Sequence, residues 1–161
     1  MGSLVLSEDI FSRMQAHALR EYPNECCGLL LVDRGQTKQD IDTKDFYARD
    51  ICVKDIFVVP NRRERDGTKE HFLIDPLVLY EAEKRVDAED MEIAGFYHSH
   101  PDHPAQPSRE DEENMLPGLI YCIMSVEKGK VQAGKCQAQN LIRSFMKKNL
   151  DEGAIEIHTD Y

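Results

Sequence analysis

Long apolar segments are missing from this sequence. No run approaches the roughly 20 apolar residues that a helix needs to cross a bilayer, and the stretch from Leu4 to Leu6 is too short for a secretory core and lacks a basic lead-in. The Met1-Gly2 start does not fit a myristoylation signal, because Leu6 stands where that signal has serine or threonine. We therefore expect a cytoplasmic protein that does not act at a membrane.

Basic residues are also scarce. The chain has 20 Lys and Arg against 30 Asp and Glu, a formal net charge of -10. Binding to nucleic acid without sequence preference needs clustered Lys and Arg that displace counterions from phosphates. The composition therefore excludes nucleic acid as an expected partner, and we interpret the acidic stretches 81–92 and 110–113 as solvated helix faces.

Cysteine pairs with metal-binding or redox spacing are absent. The sequence has five cysteines, an odd number, and no C-x-x-C motif. Most of them lie in apolar segments that look like strands, so we expect buried thiols. These residues are Cys26, Cys27, Cys52, Cys122 and Cys136.

Helical and strand patterns are mixed along a chain of 161 residues, a length typical of one domain. Apolar spacing predicts a helix through Glu21 with Ser7 as its N-cap, and Asp75-Pro76 begins a second helix that continues to about Asp90. Apolar runs predict strands at 26–32, 51–59, 93–98, 119–126 and 130–137, with further short strands at 141–145 and 154–158. The mixture predicts an α+β or α/β domain rather than a doubly wound fold.

The strand predicted to end near His98 carries the clearest chemical signal. His98 and His100 are two residues apart, so both imidazoles project from one face and can reach a single metal ion at about 2.0–2.1 Å. Asp111 is the natural third ligand, because the proline-rich loop 101–107 turns the chain back and Asp111 lies in the first turn of the next short helix. Two histidines and a carboxylate leave a fourth position for water, which is typical of a catalytic zinc site.

Each of these residues also has an ordinary structural interpretation. Ser108 and Asp111 have the spacing of a helix capping box, which stabilises a helix without any chemistry. A His-x-His pair is also compatible with a polar strand end, and we interpret His103 as a solvent-exposed residue of the loop. The occurrence of all these residues at one location favours the metal site.

The motif itself resembles a known family signature. The segment His98-Ser99-His100-Pro101, then six residues, Ser108, two residues and Asp111 resembles the full signature of the JAMM (MPN+) metallopeptidases, with no departure. Segments 25–30, 71–76 and 95–97 resemble the small, single-domain prokaryotic branch of that family. The likeness runs from about residue 7 to 146, and we expect one domain over residues 1–161.

The resemblance implies a fold and a set of roles. It implies a mixed sheet flanked by helices, as in the cytidine deaminases, and a zinc ion held by His98, His100 and Asp111. Glu25 corresponds to the general base of the family, and Ser108 to a residue that stabilises the tetrahedral intermediate. Other glutamates, at 21 in the first predicted helix and at 70 in a polar loop, are weaker candidates for the base.

The resemblance also implies a substrate class. Active JAMM proteins hydrolyse peptide or isopeptide bonds after the C-terminal Gly-Gly of ubiquitin-like proteins, and the small prokaryotic branch resembles enzymes that trim sulfur-carrier proteins. Alternatives are a deubiquitinase, a catalytically silent scaffold, and a zinc deaminase, although a deaminase would need a Pro-Cys-x-x-Cys motif. For the substrate tail we expect a sheet edge at the strand beginning near Cys26 and a rim formed by the loop 61–70; the sequence does not predict an oligomeric state.

Overall fold

The computed structural model describes residues 4–36, 50–60, 74–114, 119–138, 141–145 and 154–157. In chain order, the elements are β1 (Leu4–Ser7), α1 (Glu8–Glu21), β2 (Cys27–Asp33), β3 (Ile51–Val59), α2 (Pro76–Ala88), β4 (Met91–Pro101), α3 (Arg109–Asn114), β5 (Ile120–Glu127), β6 (Lys130–Ala138), β7 (Leu141–Phe145) and β8 (Ala154–Ile157). All predicted helices and strands are present. Strand β1 was not predicted, and the predicted rim 61–70 lies outside the described residues.

Helix α1 begins as predicted. The Ser7 side chain accepts a hydrogen bond from the backbone N–H of Ile10 at 3.2 Å, which satisfies one of the free donors of the first turn. The buried face of the helix includes His17, which is 2% exposed. Leu19 was expected in the core but is 41% exposed. Position 17 lies one turn from Met14, so helical geometry places the histidine in the stripe that faces the sheet.

The strands form one mixed sheet in the order β7-β6-β5-β4-β2-β3-β1-β8. The pairs β4 with β5 and β1 with β3 are parallel, and all other neighbouring pairs are antiparallel. This mixed sheet with its helices confirms the predicted α+β fold. The expectation that the strand near Cys26 offers a free edge is wrong, because β2 lies between β3 and β4 and its backbone groups are engaged on both sides.

Strand β2 is buried on both faces, which explains its unbroken apolar sequence. One face joins the cluster beneath α1 and the other joins the cluster beneath α2, so helices cover both sides of the sheet. The α1 side takes Cys26, Leu30 and Val32, and the α2 side takes Cys27, Leu29 and Leu31. Full burial of each leucine stabilises the fold by roughly 2 kcal/mol.

Two glycines allow β4 to lie close to its surroundings. A Cβ at Gly95 would overlap the backbone of Ile120, the residue opposite it in the parallel strand β5. A Cβ at Gly28 would overlap the ring of Tyr97, which lies across β2. Gly95 therefore leaves room for the backbone of β5, and Gly28 leaves room for the ring of Tyr97.

The cysteines depart in one respect from the expected set of buried thiols. Cys26 and Cys27 are buried and free, and Cys52 is free and half-buried. Cys122, in contrast, is disulfide-bonded, and the residue opposite it in the β5–β6 register is Cys136. Sequence spacing did not indicate that Cys122 is disulfide-bonded. Positions 122 and 136 become neighbours only through the pairing of β5 with β6. Within the described residues, no helix is both long enough and apolar enough to cross a bilayer.

Candidate metal centre

The two histidines of the motif converge at the end of β4. His98 is 1% exposed and His100 is 7% exposed, and their Nε2 atoms are 3.0 Å apart. Side chains alternate along a strand, so the intervening Ser99 faces the opposite side of the sheet. The imidazoles therefore share one face, as their spacing predicted.

Asp111 completes a group of three possible ligands. Its Oδ1 lies 3.3 Å from His98 Nε2, and its Oδ2 lies 3.2 Å from His100 Nε2. The three donor atoms lie within 4.8 Å of one another, a spacing that can hold a metal ion. The carboxylate comes from the first turn of α3, while the two imidazoles come from a strand, so the loop between these elements decides whether the three groups meet.

That loop is held by hydrogen bonds from the strand beside it. The backbone N–H of Asp102 donates to the carbonyl oxygen of Val126 at 2.7 Å, and Ser125 Oγ donates to the carbonyl oxygen of His103 at 2.7 Å. His103 itself is exposed, as expected. These contacts return the chain from the end of β4 towards the start of α3.

A backbone carbonyl orients one of the histidines. His100 Nδ1 lies 3.0 Å from the carbonyl oxygen of Pro104. A carbonyl oxygen only accepts, so Nδ1 carries a proton and Nε2, which faces His98 and Asp111, is the ring nitrogen left to bind a metal ion. Sequence inspection did not identify Pro104, because any residue type can supply a backbone carbonyl.

The three groups shift one another's proton affinities. Burial opposes the charge on Asp111, but hydrogen bonds from His100 and His98 outweigh it and hold the pKa of the Asp111 carboxyl well below its usual range. Burial lowers the pKa of His98. For His100, burial is outweighed by the hydrogen bonds to Asp111 and to the Pro104 carbonyl and by nearby negative charge, so its pKa is raised. The site is thus an ionised carboxylate facing two imidazoles.

Glu25 lies near this group, in the short segment between α1 and β2. It is half-buried, and its negative charge contributes to the raised pKa of His100. Glu21, one of the two competing glutamates, lies instead beside His17, with its Oε1 3.9 Å from His17 Nε2. Glu70 lies outside the described residues.

Ser108 lies beside Asp111 and is exposed. Its Oγ accepts a hydrogen bond from the backbone N–H of Asp111 at 3.0 Å. A hydroxyl that accepts one bond still has its proton to donate. Ser108 therefore keeps a hydroxyl proton that it can donate to another group.

Comparisons with known proteins identify the family of this chain. The model of a family described as prokaryotic homologs of the JAB domain matches residues 7–142. The chain belongs to this family. The JAMM resemblance read from the motif is thereby confirmed.

Relatives of known sequence and structure support the assignment. A probable TtuB-protein conjugate cleaving protease of Thermus thermophilus is 31% identical over 124 residues, which cover 77% of this chain and 71% of that protein. A solution structure from Desulfitobacterium hafniense is 32% identical, covers 93% of this chain and 86% of its own, and gives a TM-score of 0.61. A second solution structure, from Salinibacter ruber, is 30% identical, covers 96% of this chain and 97% of its own, and gives a TM-score of 0.56. This JAB-family chain therefore shares its fold with these two proteins over nearly its whole length.

The cysteines beside the centre are unsuited to nucleophilic attack. Burial raises the pKa of the Cys26 thiol to about 12, and burial also raises that of Cys27 well above its ordinary value. Reactive cysteines need the thiolate near neutral pH. The raised pKa values therefore disfavour Cys26 and Cys27 as nucleophiles.

Proposed function

We propose that this protein is a zinc-dependent peptidase or isopeptidase that hydrolyses the bond after the C-terminal Gly-Gly of a ubiquitin-like or sulfur-carrier protein. The observation that carries the proposal is the convergence of His98, His100 and Asp111 on one point. Two imidazoles and one carboxylate suit Zn²⁺ and leave a coordination position open, as in hydrolytic rather than structural zinc sites.

The protonation states of Asp111 and His98 fit a divalent cation. The lowered pKa of Asp111 keeps its carboxylate ionised, and the lowered pKa of His98 keeps its imidazole neutral at physiological pH. Metal ligands must be deprotonated, so both groups are ready to bind. His100 also offers Nε2, since Nδ1 is held by the carbonyl of Pro104. Zinc bound there would polarise the scissile carbonyl and bring the pKa of a water molecule to about 7.

The remaining chemistry belongs to Glu25 and Ser108. We assign to Glu25 the role of general base, which takes a proton from the attacking water and delivers it to the leaving amine. Ser108 donates its hydroxyl proton to the oxyanion of the tetrahedral intermediate. The proximity of Glu25 to His100 and of Ser108 to Asp111 supports both assignments.

The substrate assignment rests on family and relatives together. JAMM proteins act after Gly-Gly, and the relative from Thermus thermophilus is named for cleaving conjugates of the protein TtuB. A small enzyme must also draw orientation energy from a folded partner. We therefore propose a ubiquitin-fold protein, rather than a short peptide, as the substrate.

Two other functions are less well supported. A silent scaffold of the same fold would have no need of the motif, whereas Glu25 and the four motif residues with assigned roles are all present. A zinc deaminase would use thiolate ligands, but no described cysteine belongs to the group of possible ligands.

The test is intact-mass spectrometry of a carrier protein extended beyond its Gly-Gly end. The parent should release the extension at that bond, and Glu25→Gln should slow turnover by at least about 100-fold while keeping its zinc. Glu21→Gln, four residues earlier, is the matched control and should retain parental turnover. Parental turnover by Glu25→Gln, or equal cleavage of a carrier ending in Ala-Ala, would refute the proposal.

A further inference from the structure

The segment that carries Glu25 lies just outside the paired residues of β2. Residues 22–26 connect the end of α1 to the start of β2, and the first paired residue of β2 on the β4 side is Cys27, opposite His98. Glu25 therefore precedes the strand ladder. A carboxylate that exchanges protons with reactants needs a fixed position, so other contacts must hold this segment.

The first such contact joins Cys26 to Ser99. The backbone N–H of Cys26 donates to Ser99 Oγ at 2.8 Å, and the backbone N–H of Ser99 donates to the carbonyl oxygen of Cys26 at 3.1 Å. Ser99 is fully buried and stands between the two histidine ligands in sequence. Its hydroxyl thus binds the residue that follows Glu25, on the face of β4 opposite the histidines.

The second contact joins Tyr22 to Asp102. The Tyr22 hydroxyl lies 3.0 and 2.9 Å from the two carboxylate oxygens of Asp102, and its ring packs against the core cluster beneath α1. Asp102 has a positive φ of 57°, and its own N–H is bonded to the carbonyl of Val126. The carboxylate also accepts a hydrogen bond from the backbone N–H of Lys128 at 3.3 Å. Tyr22 is therefore tied to a point that strand β5 and the following turn hold in place.

In sequence, these two contacts bracket Glu25 on one side and His100 on the other. Cys26 directly follows Glu25, and Tyr22 lies three residues before it. Their partners are Ser99, directly before His100, and Asp102, two residues after it. The segment that carries Glu25 is thus attached at both ends to the strand and loop that carry the histidines. We call this arrangement the Glu25 clamp, formed by Ser99 with Cys26 and by Tyr22 with Asp102.

We propose that Ser99 and Tyr22 are positioning residues, which hold the Glu25 carboxylate in register with the metal ligands without touching metal or substrate. The inference rests on the proposed function, since it concerns the group assigned as general base. Loss of either hydroxyl leaves all three ligands in place but loosens one end of the Glu25 segment: without the Ser99 hydroxyl, Cys26 keeps only its backbone bond to Ser99, and without the Tyr22 hydroxyl, the bond to Asp102 is lost. The expected consequence is a slower chemical step with unchanged zinc binding and unchanged substrate affinity.

The kinetic test uses Ser99→Ala and Tyr22→Phe in the zinc-loaded protein acting on the extended carrier. Each should lower kcat by about 10- to 100-fold with KM within about twofold of the parent, because small misplacement of a catalytic group has effects of this size. Ser99→Thr, which keeps the hydroxyl, should restore most of the loss. Controls are Ser7→Ala, which removes a capping hydroxyl at the other end of α1, and Tyr80→Phe on the exposed face of α2; both should keep parental kcat.

A double-mutant cycle separates positioning from general damage. In the Glu25→Gln background, Ser99→Ala and Tyr22→Phe should each change kcat by less than about twofold, because the group they position is already gone. An equal fold-loss of kcat in the parent and in the Glu25→Gln background, or parental kcat in the single variants, would overturn the proposed role of the Glu25 clamp. Parental kcat in Glu25→Gln itself would instead overturn the proposed function.

Amide hydrogen exchange gives a readout that does not depend on activity. Tyr22→Phe should speed exchange at the backbone N–H of Cys26 by at least about tenfold, although that N–H is bonded to Ser99, while exchange at Leu30 in the middle of β2 should stay at the parental rate. Unchanged exchange at Cys26 would show that the two contacts act separately and would contradict the clamp. This variant loses only a phenol hydroxyl bonded to an exposed carboxylate, so it is expected to fold even where a buried Ser99→Ala does not.

Discussion

Ser108 and Asp111 each bond to the other's backbone. Asp111 Oδ2 accepts the N–H of Ser108 at 2.7 Å, and Ser108 Oγ accepts the N–H of Asp111 at 3.0 Å. The same carboxylate approaches His98 and His100 with its two oxygens. The capping box and the candidate metal centre therefore share the Asp111 carboxylate, and the cap fixes its direction.

Replacing Asp111 should remove the metal site. Asp111→Ala should bind zinc at least about 100-fold more weakly than the parent, since it loses one of three ligands. Asp111→Asn keeps an acceptor for the cap but loses the negative charge, so it should fold like the parent and still bind zinc poorly. Metal analysis after reconstitution, with competition by a chelator, measures this. Glu112→Ala, at the exposed neighbouring position, should keep one equivalent of zinc per chain. Parental zinc affinity in Asp111→Ala would contradict the assignment of Asp111 as a ligand.

Replacing Ser108 should affect rate and stability separately. Ser108→Ala loses the acceptor for the N–H of Asp111, which should lower the free energy of unfolding by about 0.5–2 kcal/mol. It also loses the hydroxyl proposed to stabilise the oxyanion, so kcat should fall by more than tenfold. Thermal melting and turnover are measured side by side, with Ser108→Thr as the control that keeps a hydroxyl. A stability loss with parental kcat would leave Ser108 with the capping role alone.

His17 should make the fold sensitive to acid. Burial, assisted by the charge of Arg20, lowers the pKa of His17 from 6.5 to about 4, and its Nδ1 lies 2.8 Å from the Tyr97 hydroxyl. As pH falls, His17 is therefore protonated in the unfolded chain before it is protonated in the folded protein. Its contribution to the free energy of unfolding is complete above pH 6.5 and is lost as pH falls to about 4. The loss is of the order of 3 kcal/mol.

This pH dependence is measured as the difference between two proteins. Denaturant unfolding of the metal-free parent and of His17→Gln is measured at several pH values. The difference between their free energies of unfolding cancels the contribution of the other titrating groups. Stability of the variant should fall less steeply between pH 6.5 and 4. Parallel curves for the two proteins would show that His17 is not held neutral in the folded state.

Gly95 should be intolerant of a side chain. In Gly95→Ala the new Cβ would lie 2.6 Å from the Ile120 backbone carbon, so strands β4 and β5 must separate. We expect a loss of about 3 kcal/mol in the free energy of unfolding, measured by denaturant titration. The control is Gly35→Ala, where nothing lies within 4 Å of the added Cβ and only the positive φ of 92° is unfavourable, a cost of about 1 kcal/mol. Equal losses in the two variants would refute the overlap.

The local patterns of this sequence determined its elements and its motif. Helix α1 was predicted with its N-cap because Ser7 precedes a helical apolar period, and β2 because its apolar run is bounded by turn residues. The imidazoles of His98 and His100 share a face because side chains alternate along any strand. These are short-range rules, and the chain obeys them without reference to the rest of the fold.

Tertiary structure alone decided the contacts that join distant parts of the chain. Strand β2 became an inner strand rather than an edge through pairing with β3 and β4, and Cys122 came to lie opposite Cys136 only through the β5–β6 register. The contacts of Ser99 with Cys26 and of Tyr22 with Asp102 likewise span more than seventy residues. Hydrogen bonds between distant segments depend on how the strands are ordered, and no local period records that order; the position of Glu25 beside the histidines is therefore a property of the assembled sheet.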